Sequence, residues 1–78
     1  MSDQLSRVST IVCSIASLEQ IDADEDFYEA GLSSISALRL LMDLEDAFGV
    51  SMPDDQFINA RTPRALHDIV VGLQEGGR

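Results

Sequence analysis

The sequence predicts an all-α fold, a small antiparallel bundle of three main helices plus a short helical turn. Three observations carry this expectation. Apolar residues recur at spacings of three and four in three separate stretches, no stretch alternates as a half-buried strand would, and capping or breaking residues bound the stretches. With 78 residues the chain forms one domain over 1–78, near the size where folding buries only about 60% of the unfolded surface. A domain this small does not enclose a large active site.

Helix one is expected over about 3–18, with Ser2 as N-cap and Leu5, Val8, Val12, Ile15 and Leu18 as its apolar stripe. The next stretch, "EQIDADEDFYEAGLS", loses that period, carries six acidic residues and ends near Gly31. It reads as a long acidic loop in which Phe27 anchors into the core. A second helix follows over about 34–48 and stops at Gly49. After "VSMPDDQ" a short helical turn at about 55–60 takes in Phe57 and Ile58. In "RTPRALHDIVVGL" Thr62 supplies a cap and Pro63 suits the first helical position. Leu66, Ile69, Val70 and Leu73 then form the stripe of a last helix over about 63–74, after which "QEGGR" frays.

Composition excludes several functions. One cysteine, Cys13, rules out an internal disulfide, and no pair of cysteine or histidine has zinc spacing. Fourteen acidic residues against five arginines and no lysine give a formal charge of −9, which repels nucleic-acid phosphates and anionic lipid. Partners with basic surfaces are expected instead. The amino terminus lacks a signal-peptide pattern and no apolar run approaches the roughly 18 residues of a membrane span, so a cytoplasmic protein is expected. A monomer is also expected.

The second helix has more apolar residues than one core face requires. At about 100° per residue, Ala37, Leu40, Leu41, Leu44 and Phe48 share one side, while Ile35 and Met42 project nearly opposite and Leu38 leans towards them. Two readings account for the surplus. Either the helix is buried on more than one side, or the extra stripe is a docking surface rimmed by Arg39, Glu45 and Asp46. Ser34 stands at the amino end of that stripe.

Ser33 and Ser34 at the mouth of this helix invite a chemical role. Nucleophilic catalysis needs a base, and the only histidine, His67, lies on another helix at the edge of an apolar stripe, where a surface histidine is normally inert; a hydrolase is rejected. Cys13 has no neighbour in sequence that lowers its pKa, and reads as a half-buried packing residue. The serines either cap the helix or serve as the substrate of another enzyme. A helix amino terminus favours a phosphate on such an oxygen, and Gly31 would keep its approach uncrowded.

The run "DEDFYEAGLSSISALRLLMDLEDAFGVSMPD" resembles the phosphopantetheine-binding carrier proteins, the acyl and peptidyl carriers of thioester biosynthesis. Their pattern D-x-F-F-x-L-G-G-H-S-L leads into the second helix, and Asp24 or Asp26, Phe27, Tyr28, Gly31, Ser34 and Ile35 fall in matching order. The resemblance covers nearly the whole chain and implies an acyl-carrier-protein-like fold. It selects Ser34 as the attachment serine for a 4′-phosphopantetheine arm, transferred from coenzyme A by a phosphopantetheinyl transferase and ending in a thiol. An acyl or amino acid ligase would load that thiol as a thioester. Downstream biosynthetic enzymes with basic docking surfaces would read the face formed by Leu32, Ser33, Ile35, Leu38, Arg39, Met42, Glu45 and Asp46. The chain itself would be a carrier and not an enzyme.

Ser33 and Arg39 depart from the carriers of bacterial fatty acid synthesis, which place acidic residues there. Ala37, Arg39 and Leu40 are closer to the S-L-x-A-x-R-L pattern of peptidyl carriers, which implies an aminoacyl or short acyl cargo on a freestanding carrier. A fatty-acid or polyketide carrier is the alternative. Two readings from other classes are a cofactor-free helical interaction module and a calcium loop at Asp22, Asp24 and Asp26. The calcium pattern fails where it needs glycine and holds Phe27, and where it needs glutamate and holds Ser33.

Overall fold

The computed structural model describes residues 3–76, and in it the helices follow the apolar periods. They are α1 (Asp3–Ala16), α2 (Ser34–Phe48), α3 (Asp54–Asn59) and α4 (Pro63–Gly76), with no strand among the described residues. The α2 bounds are those expected. The expected cap Ser2 lies outside the described residues, as do Gly77 and Arg78 of the expected fraying tail.

Three helices differ from expectation at one or both ends. α1 stops at Ala16 rather than 18, because Ser17 turns to a left-handed φ of 60° and the Leu18 amide closes back onto the Cys13 carbonyl at 2.9 Å. That closure usually places an apolar residue just after the turn, which is why Leu18 keeps the helical period without being helical. α3 is displaced by one residue, starting after Pro53 with Asp54 and Asp55 in its first turn. α4 extends to Gly76, two residues beyond the expected end. Its start is as expected, since the Thr62 hydroxyl accepts the Ala65 amide at 3.1 Å.

The core is built from every segment. Val8 and Val12 of α1, Leu40 and Leu44 of α2, and Leu66 and Val70 of α4 are fully buried, and Phe57 of α3 and Met52 join the same core. α1 packs against both α2 and α4. Arg7 fastens the first of these contacts. Its guanidinium donates to the Ala47 carbonyl at 3.1 Å, satisfying a helix-end acceptor, and stands 4.6 Å over the Phe48 ring.

The acidic loop is ordered by bonds to the α3–α4 junction. Phe27 is fully buried, and its amide donates to the Arg61 carbonyl at 2.9 Å. The Arg64 amide donates to the Ala23 carbonyl at 2.9 Å. Side chains repeat the connection, Arg61 to Asp26 at 2.6 Å and Arg64 to Asp24 at 2.8 Å. The loop therefore delivers residues 31–34 to a fixed place at the head of α2.

Candidate functional site

The adjacent serines have different roles. Ser33 is the N-cap of α2, with extended backbone, and its hydroxyl oxygen accepts the Ser36 amide at 3.0 Å and lies 3.0 Å from the Ser36 hydroxyl. Ser34 is the first helical residue, exposed, and its hydroxyl makes no hydrogen bond to any described residue. One serine holds the helix and its neighbour is free for chemistry.

Gly31 acts differently from expectation. A side chain there would meet nothing within 4 Å, so crowding is not what excludes one. Its φ of 132° is the constraint, a conformation that side-chain-bearing residues rarely adopt, and it lets the chain turn from the loop into α2.

The surplus apolar residues of α2 face water. Ile35 is 89% exposed, Leu38 62% and Met42 60%, while Ala37, Leu40, Leu41 and Leu44 are buried. This removes the reading in which the helix is buried on more than one side. Arg39 and Asp46 are exposed, and neither forms an ion pair or hydrogen bond through its side chain among the described residues.

Two expected members of this face are used elsewhere. Leu32 is a correction: it is 4% exposed and belongs to the core, drawn inward where its amide donates to the Phe27 carbonyl at 2.9 Å. Glu45 is half-buried, and its carboxylate accepts the Met52 amide at 2.8 Å, tying down the connection after α2. Neither role is periodic, so neither shows on a helical wheel.

An open groove of about 530 Å³ lies beside Ser34, lined also by Tyr28, Ala37, Ile58 and Arg61. Ile58 is 68% exposed. Sequence reasoning missed Ile58 and Arg61 as site residues. Ile58 carried a signal, because two adjacent apolar residues on a six-residue helix point about 100° apart and only Phe57 can face the core. Arg61 carried none, since only the fold brings it to α2.

The remaining candidates resolve simply. Cys13 is half-buried, and burial first, then the charge of Glu25, pushes its thiol pKa up, away from a reactive thiolate. His67 is half-buried rather than on the surface as expected, and lies 3.0 Å from the Asp68 carboxylate. Hydrogen bonds from Arg64 and Arg61 hold the Asp24 and Asp26 carboxyls below their usual pKa. Among the described residues no cluster could hold a metal ion. No helix of the structure is long and apolar enough to cross a membrane.

A phosphate-linked arm needs a hydroxyl that is exposed, unclaimed and approachable. Ser34 meets these conditions, so the residues present fit such a group. Comparison with known proteins points to a family that carries such a group. The phosphopantetheine attachment site family matches residues 6–70. A protein of Salinispora arenicola (strain CNS-205) named as a probable non-canonical nonribosomal peptide synthetase is 32% identical over 68 residues, which is 87% of this chain and 1% of that protein. The chain thus spans a very small part of that relative. Among solved structures, an acyl carrier protein from Thermotoga maritima aligns with a TM-score of 0.78 and 28% identity, covering 97% of this chain and 96% of that one. The oxytetracycline acyl carrier protein aligns at 0.76 and 30%, covering 95% and 84%.

Proposed function

The chain belongs to the phosphopantetheine attachment site family, whose members are carriers bearing a covalent 4′-phosphopantetheine, and on that premise we propose that Ser34 bears the arm and that the cargo is an aminoacyl or short acyl group. The observation that carries the site is the division between the serines: Ser33 is committed to the cap and Ser34 has a free, exposed hydroxyl. The bound arm supplies a thiol on which cargo is held as a thioester.

The chain's own residues do the rest. Ser33 and Gly31 fix the head of α2, so the Ser34 oxygen is presented at one place. Ile35, Leu38 and Met42 offer apolar area to a phosphopantetheinyl transferase, a ligase and downstream enzymes, with Arg39 and Asp46 as polar rim. The net charge of −9 speeds encounter with basic partner surfaces and disfavours acidic ones. Support for aminoacyl cargo comes from Ala37, Arg39 and Leu40 and from the synthetase relative. The second reading, an acyl cargo of fatty-acid or polyketide type, is supported by the 30% identity to the oxytetracycline acyl carrier protein.

Intact mass before and after incubation with coenzyme A and a broad-specificity phosphopantetheinyl transferase tests the site. Wild type and Ser33→Ala should each gain one phosphopantetheine and Ser34→Ala none. A gain on Ser34→Ala, or none on wild type, overturns the assignment.

A further inference from the structure

We propose that the groove beside Ser34 is the resting place of the arm itself, with Arg61 as the hydrogen-bonding partner of its phosphodiester and Tyr28 and Ile58 as the apolar walls for its pantetheine portion. This rests on the assignment of the arm to Ser34.

The argument begins with Arg61. Asp26 holds its Nε at 2.6 Å, and its guanidinium lies 4.9 Å from the centre of the Tyr28 ring, so the group is fixed from two sides. Its terminal nitrogens make no hydrogen bond to any described residue, and the side chain is half-exposed. A fixed guanidinium with free donors suits a phosphate oxygen pair.

The other described cations are placed elsewhere. Arg7 is on the Ala47 carbonyl, Arg64 is paired with Asp24, and Arg39 lies about 140° around α2 from Ser34. In a chain of net charge −9, a phosphodiester on Ser34 is repelled in most directions, and Arg61 is the cation lining the groove into which Ser34 opens. Ile58 then gains a role. Its side chain is 68% exposed at the same groove, and the branched methyls of the pantetheine would cover it.

The test compares each protein with its own unloaded form, so the Asp26–Arg61 pair cancels. Wild type, Arg61→Gln and Ile58→Ser are loaded to completion, verified by mass. Amide spectra and thermal midpoints are then recorded for both forms. On loading, the wild type should show shifts at Ile58 and Arg61 as well as at residues 33–35, and a midpoint gain of about 2–4 °C, the scale of one modest contact in a domain this size. Arg61→Gln should lose that gain and Ile58→Ser should lose about half of it. Should Arg61→Gln fail to fold, Ile58→Ser carries the test, because its exposed side chain is not part of the core. Shifts confined to residues 33–35 with equal midpoint differences in all the folded proteins overturn the groove alone. Shifts at the groove that appear only with cargo attached also overturn it, assigning the groove to the cargo. An unchanged mass on attempted loading overturns the attachment site as well.

Discussion

The two faces of α2 are made of the same kinds of residue and have opposite fates. Leu40, Leu41 and Leu44 are buried against α1 and the rest of the core, while Ile35, Leu38 and Met42 of the same helix stand in water. The difference teaches that residue type does not decide role here; angular position does. One face fixes the fold, and the other is exposed to water without the fold depending on it. The serines and the acids divide in the same way. Ser33 caps and Ser34 is free, Asp24 and Asp26 are paired to arginines and Asp46 is not.

The largest expected effect breaks the comparison on its buried side. Leu44→Ala should destabilise the domain by about 2–5 kcal/mol, through lost burial and the cavity left behind. Met42→Glu, two positions earlier, should change stability by less than about 0.5 kcal/mol while weakening partner binding. Denaturant unfolding and a binding assay with the transferase measure both. Comparable unfolding by the two substitutions would erase the distinction between the faces.

Next in size is the cap. Ser33→Ala should cost about 1 kcal/mol, because the Ser36 amide loses its acceptor at the exposed end of α2. The same variant should still accept the arm at Ser34, so stability and loading separate at neighbouring residues. A Ser33→Ala protein of wild-type stability would show that water replaces the cap without loss.

Much of this was legible in the sequence because it is local. The α2 bounds, the Thr62 cap, the buried Phe27 and the surplus stripe all follow from spacing and from residue types at helix ends. Contacts between segments were not legible. Leu32 lies next to the serines in sequence yet turns inward, because the Phe27 carbonyl takes its amide. Glu45 looks like a surface acid until the chain returns and offers it the Met52 amide. The groove needs α2, α3 and the acidic loop in place before Arg61 and Ser34 are neighbours. The half-burial of His67 is of the same kind, a product of packing and not of spacing.

The smallest effect isolates the acids that hold the fold from those that only face water. Hydrogen bonds from Arg64 and Arg61 lower the Asp24 and Asp26 pKa values, and a carboxyl whose pKa is lower folded than unfolded adds stability above its unfolded pKa. That contribution is lost as pH falls through the folded value. Asp24→Asn with Asp26→Asn should therefore be less stable than wild type at neutral pH, with the gap closing from about pH 4 downward. The gap should be small, since exposed pairs are screened by solvent and removing two negative charges also relieves self-repulsion. Asp46→Asn removes a charge that has no partner, so it measures the relief by itself. Adding that relief back, once for each charge removed, leaves the part due to the pairs. A gap that stays constant down to pH 3 would mean that the arginines contribute nothing through these carboxylates, and that the backbone bonds at Phe27 and Arg64 hold the loop without them.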